Sequence, residues 1–169
     1  MNKLIAVIDK MSKMGGLISS VCIIVMVLLI LAETLLRFML GRSLFIAEEF
    51  SAYLMANFVM LGLAYTLREG GHIRVNILLS RLRGRRRAAC ELVGCLVGCC
   101  VFVLITWELW SLMADNFATN QRSMNVTKIP IYLPQIGLVA GSALMMMQMA
   151  AEALKRILKL APARDAIDN

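Results

Sequence analysis

The sequence is short of the groups that carry chemistry. Its one histidine, His72, cannot by itself supply the pair of axial ligands that a haem takes within one chain. Charged residues make up only 17% of the 169 positions. None of them falls inside the four long apolar runs, Met14 to Ala32, Phe50 to Leu67, Leu92 to Trp107 and Ile129 to Ala151. With no carboxylate in mid-run, a small proton-coupled exporter built from these segments alone lacks its proton carrier. The five cysteines, Cys22, Cys90, Cys95, Cys99 and Cys100, sit within or at the edge of the runs, without a paired CxxC and with no histidine nearby. That arrangement argues against zinc and structural disulfides, and lets cysteine act as a small hydrophobe. No run has the continuous polar stripe that lines a pore, and no internal repeat is present. Neither a catalytic residue, nor a metal, nor a cofactor is expected.

What is there is apolar: 60% of residues are hydrophobic, and the mean hydropathy is +0.75. A bilayer core of about 30 Å takes about 20 apolar residues in a helix, and each run has that character. Backbone groups in lipid must be satisfied within the segment, and without strand-like alternation the choice falls on helices rather than a barrel. The expectation is an all-α integral membrane protein, one membrane domain over residues 1–169. Its spans fall at about 14–36, 49–68, 89–112 and 130–154. The first run is longer than a secretory h-region and reads as an uncleaved anchor.

The net charge of +7 does not point to nucleic acid, because the basic residues punctuate the runs instead of gathering on a soluble face. Of the 18 lysines and arginines, fourteen lie before the first run, between the second and third, or after the fourth, and four lie in the other two connections. Short loops rich in positive charge stay cytoplasmic, which predicts both termini inside. In the second connection, Val75, Leu78, Leu79 and Leu82 fall at helical spacing among arginines. This predicts a short amphipathic helix over residues 73–83 lying in the cytoplasmic membrane surface. Arg85 to Arg87 extend a patch suited to anionic phospholipids.

Several residues stand out against this background. Glu33 and Arg37 have the i,i+4 order that favours an ion pair, and Gly41 marks the end of that helix. They serve either as an interfacial helix end or as a contact to another subunit. Glu48 and Glu49 suit the positive end of the second helix. Asn57, in mid-run, calls for a partner on another helix, as packing glue ahead of any substrate contact. Gly94 and Gly98 in the third helix, and Gly137 and Gly141 in the fourth, allow backbones to approach closely. Trp107 and Trp110 read as interfacial anchors, Pro130 and Pro134 sit where proline costs little, and the tail from Lys155 reads as frayed.

Two stretches give the sequence a specific look: Ala47-Glu48-Glu49-Phe50-Ser51-Ala52-Tyr53-Leu54, continued by Leu61-Gly62, Arg68 and His72-Ile73-Arg74-Val75-Asn76, and then Lys128-Ile129-Pro130-Ile131-Tyr132-Leu133-Pro134-Gln135. In this order and spacing they resemble the small membrane subunit, DctQ-like, of tripartite ATP-independent periplasmic (TRAP) transporters. Asn76 stands where that family commonly has aspartate. The resemblance covers nearly the whole chain. It implies an accessory subunit of the bacterial inner membrane, working beside a large membrane subunit and a periplasmic binding protein in ion-gradient-driven uptake of an organic acid. The large subunit would hold the substrate and ion sites and move as an elevator, with this chain as scaffold. Glu48 and Glu49 would then contact the large subunit or the docked binding protein, and Arg68, His72 and Arg74 would hold the cytoplasmic elbow. The competing readings are a freestanding oligomeric channel or exporter, and a redox or haem-associated enzyme.

Overall fold

The computed structural model describes residues 2–41, 46–69, 85–124 and 127–160. The proposed in-plane helix at 73–83, together with His72 and Arg74, lies outside the described residues.

The described chain is all-helical, with four long helices: α1 (Asn2–Leu40), α2 (Ile46–Arg68), α3 (Arg85–Ala118) and α4 (Tyr132–Leu160). All four are long and apolar enough to cross a membrane. α1 has 39 residues, a length of about 58 Å at the standard helical rise and well beyond a bilayer core of about 30 Å. Gly41 stops it: with φ at +62° the residue is left-handed, and its N–H donates to the Arg37 carbonyl at 3.1 Å. Glycine carries no Cβ to strain that conformation. α2 opens with Glu48 and Glu49 in its first turn and closes on Arg68, each charge complementing its end of the helix dipole.

α3 runs past Trp107 and Trp110 to Ala118. After it the chain turns through Asn120, with φ +48°, and forms a small hairpin. Ser123 N–H donates to Ile129 O at 2.9 Å and Ile131 N–H to Gln121 O at 3.1 Å, flanking the antiparallel bridge of Arg122 with Pro130. Pro134 is the third residue of α4, where the N–H it lacks would have no intrahelical partner. At the other end α4 continues through Lys155 to Leu160, so Lys155 belongs to the helix rather than to a frayed tail.

α4 is the hub. It packs against α2 and α3 and, over a smaller area, α1, while α1 and α2 pack extensively on each other. The core accordingly sits between α2 and α4: Leu61, Ala64 and Leu67 meet Leu144 and Met145, with Phe102 and Met149 packed against them. In the most apolar 18-residue stretch of α3 no residue is buried. Its exposed side chains, such as Val97, Leu104 and Trp107, are compatible with lipid around a multi-span protein.

Candidate functional site

Lipid gives apolar side chains no reason to leave it, so helices in a membrane associate through close backbone packing and interhelical hydrogen bonds. The polar side chains of this bundle are arranged in three tiers that supply those bonds, named outer, middle and inner in order from the start of α2 to its end.

The outer tier centres on Glu49. Although it lies next to Glu48 in sequence, the two differ: Glu48 is exposed, and Glu49 is buried at 5% exposure. The Tyr53 hydroxyl donates to Glu49 Oε1 at 2.8 Å, and the Thr127 hydroxyl donates to Glu49 Oε2. Ser123 is a further hydrogen-bond partner of Tyr53. Both residues reached from α2, Ser123 and Thr127, belong to the α3–α4 hairpin, so one buried carboxylate ties that hairpin to the start of α2. On the hairpin's other side, Asn116 Nδ2 donates to Gln135 Oε1 at 3.0 Å between two buried side chains. The rings of Phe117 and Tyr132 meet edge to face at 5.2 Å.

The middle tier joins Asn57 to α4. Its Nδ2 donates to Pro134 O at 3.1 Å and to Tyr53 O within its own helix at 2.8 Å, while its Oδ1 fills the space where a Cβ on Gly137 would stand. One turn on, a Cβ at Gly141 would lie 2.6 Å from the Met60 carbonyl carbon and 2.8 Å from the Leu61 nitrogen. Gly98 of α3 is filled by the Met149 side chain of α4. Gly94, expected in the same packing row, meets nothing within 4 Å, so α3 approaches α4 one turn later than the glycine spacing alone suggests.

The inner tier was not foreseen. Gln148, fully buried on α4, accepts from the Ser12 hydroxyl at 2.9 Å and donates Nε2 to Asp9 Oδ1 at 3.0 Å. Lys155 Nζ reaches the same Asp9 oxygen at 3.4 Å and Glu152 at 3.0 Å. These contacts bind the beginning of α1 to the end of α4. The α1–α2 seam was missed as well: the Ser19 hydroxyl donates to Phe58 O at 2.7 Å. A Cβ at Gly15 would stand 3.1 Å from Leu61 O. A signal for both was present, because Ser12, Gly15 or Gly16, and Ser19 recur at helical spacing as a stripe of small residues.

The remaining candidates lie nearer the helix ends. Arg37 and Glu33 form an ion pair at 3.3 Å, with the carboxylate largely covered and the guanidinium exposed. Arg68 pairs with its neighbour Glu69 at 3.3 Å.

Residues 26–159 match the family described as tripartite ATP-independent periplasmic transporters, DctQ component. The chain belongs to the DctQ family. It is 24% identical over 147 residues to the ectoine TRAP transporter small permease protein TeaB of Halomonas elongata, a match covering 86% of this chain and 75% of TeaB. A DctQ component is part of a transporter and not an enzyme, and the four apolar spans agree with a multi-pass inner-membrane subunit. The outer and middle tiers lie wholly within the residues that match DctQ, whereas Asp9 and Ser12 precede them.

Proposed function

We propose that this DctQ chain is a static scaffold in a TRAP-type secondary transporter, pairing with a large transport subunit and a periplasmic binding protein for ion-gradient-driven uptake of an organic acid. Both termini face the cytoplasm in this reading, and residues 73–83 lie in the inner membrane surface. Anionic phospholipids gather at the arginines that follow. The observation that supports it best is how the polar groups within the bundle are used. Asn57, Ser19, Ser12 and Gln148 all make interhelical hydrogen bonds, which is the arrangement of a brace and not of a pathway that must accept and release cargo.

The two outer glutamates then take different parts. Glu49 acts inside the chain by holding the α3–α4 hairpin, and exposed Glu48 is the one offered to the large subunit or the docked binding protein. Arg68, His72 and Arg74 shape the cytoplasmic elbow. Reconstitution tests the whole reading. Proteoliposomes holding only this chain should show no solute flux, and uptake should return when the large subunit and binding protein are supplied; robust flux by the chain alone would refute it. Glu48→Lys should reduce copurification of the large subunit while leaving this chain folded. Unchanged copurification and uptake would remove Glu48 from the interface.

A further inference from the structure

A groove of about 380 Å³ opens along α1 beside α2, bordered by Lys10, Lys13, Met14, Gly16, Leu17 and Tyr65. It lies at the end of the bundle that carries the start of α1 and the last turn of α2. The Tyr65 ring lies against α1 at Gly16, where a Cβ would stand 2.6 Å from its Cγ, so the ring forms a wall flush with the helix backbone. Lys10 and Lys13 are both exposed and, three residues apart, share a helix face at the groove's outer end.

Their charges distinguish these two lysines. The other described basic side chains at this end have carboxylate partners, Arg68 with Glu69 and Lys155 with Asp9 and Glu152. Among the described residues, neither Lys10 nor Lys13 has one. Beyond the lysines the floor turns apolar at Met14 and Leu17 and reaches Ser20, whose hydroxyl is turned back to Gly16 O. From Lys10 to Ser20 the helix rises about 15 Å, the depth of one leaflet's hydrocarbon. A paired cationic mouth above a leaflet-deep apolar floor fits a molecule with an anionic head and a long apolar tail.

We propose that this groove is a binding site for one anionic phospholipid of the cytoplasmic leaflet, its phosphate between Lys10 and Lys13 and an acyl chain along Met14, Leu17 and Tyr65. Its lining residues all belong to α1 and α2. Its leaflet assignment rests on the inward placement of the N-terminus made above.

The test is native mass spectrometry of the full-length chain released from mild detergent. The probes are phosphatidylglycerol, phosphatidylethanolamine and free glycerol phosphate at matched concentrations. Wild type should retain one phosphatidylglycerol in preference to the other two. The double variant Lys10→Ala/Lys13→Ala should weaken retention about thirtyfold, each lysine near an anionic surface contributing about fivefold. Leu17→Trp keeps both charges but fills the floor, and it should weaken retention as well while leaving the melting temperature of the chain unchanged. Equal retention by wild type and both variants overturns the site. Loss in the lysine variant with none in Leu17→Trp overturns it too, since that outcome is diffuse attraction without a seated tail. Equal retention of glycerol phosphate would replace the lipid with a free anion. Retention in detergent does not depend on orientation, so protease protection of an N-terminal tag in vesicles reads that separately. A tag on the outer face would overturn the leaflet named here and leave the groove's occupant standing.

Discussion

The spacing between α2 and α4 is set at Gly141, and the cost of altering it can be worked from the geometry. A methyl at this position would stand 2.6 Å from the carbonyl carbon of Met60 and 2.8 Å from the nitrogen of Leu61. Both are backbone atoms in mid-helix, so neither can rotate aside. Restoring an ordinary carbon contact of about 3.5 Å requires the helices to part by about 0.9 Å. A gap of that size forfeits about a quarter to a half of the dispersion energy of each contact it opens. The contacts at stake are the core itself, Leu61 and Ala64 against Leu144 and Met145. Overpacking of this kind costs about 1–3 kcal/mol, a factor of about 5 to 150 in the folded-to-unfolded ratio. The same chemical change at an unobstructed helical position works the other way, because alanine is favoured over glycine in a helix by about 0.5–1 kcal/mol. Gly94 is such a position, with nothing within 4 Å. Thermal melting of the purified chain in detergent, followed by fluorescence-detected size exclusion, should therefore place Gly141→Ala well below wild type and Gly94→Ala at or above it. If Gly141→Ala melts as high as Gly94→Ala, the close approach of α2 and α4 at this glycine is not what holds the bundle.

The other tiers give parallel tests. Because Asn57 Oδ1 fills the space beside Gly137, Gly137→Ala should destabilise the wild-type chain and cost much less when Asn57→Ala is already present; effects that add within about 0.5 kcal/mol would rule out the contact. Glu49→Ala should leave Tyr53 and Thr127 without their shared acceptor, a loss of about 1–3 kcal/mol for buried polar partners. Amide hydrogen exchange should then rise in the hairpin around Ser123 and Ile129, whereas Glu48→Ala should leave it as in wild type, and indistinguishable exchange in the two variants would refute the separation of their roles. Gln148→Leu should remove the acceptor of Ser12 and a donor to Asp9, lowering the melting temperature by an amount equivalent to about 1–3 kcal/mol; a melting curve that overlays wild type would show that the inner tier does not fasten the ends of the chain.

What the sequence made legible follows from what each signal measures. Four spans were readable because the energetic demand of a bilayer shows as run length and missing charge, both visible without any tertiary contact. Gly41 was readable as a helix end because its requirement is local. Asn57 could be assigned a partner on another helix, since an amide in lipid has little alternative, but which helix depended on how α2 and α4 cross. Glu48 and Glu49 looked alike because helix-dipole arguments see only the chain position; burial distinguishes them, and burial depends on a hairpin some eighty residues away. Gly94 and Gly98 looked alike for a similar reason, as small-residue spacing marks a permissive face without saying where along it the neighbour arrives. Asp9 escaped notice because it precedes the apolar run and reads as one more charge of a solvated helix start. Only the packing of α1 on α4 brings it to Gln148 and Lys155.

The three tiers together constrain how this bundle can move. Sliding α4 along α2 by one helical turn, about 5.4 Å, would break the Asn57 bond to Pro134 and carry Gly141 away from Met60 and Leu61. In one direction Met145 would have to take the place of Gly141 where two backbones now touch, and in the other Gly137 would. The same slide would pull the hairpin from Glu49 at one end and Lys155 from Asp9 at the other. No neighbouring register restores all of these at once: even a slide that sets Gly137 against Met60 leaves Asn57 without the Pro134 carbonyl, Glu49 without the hairpin and Asp9 without Lys155. α1, α2 and α4 therefore behave as one unit, with α3, among the described residues, packed mainly on α4. If a conformational cycle runs in the assembled transporter, its large displacements must fall outside this three-helix unit, and among the described helix contacts the one left outside the unit is that of α3 with α4 near Gly98 and Met149.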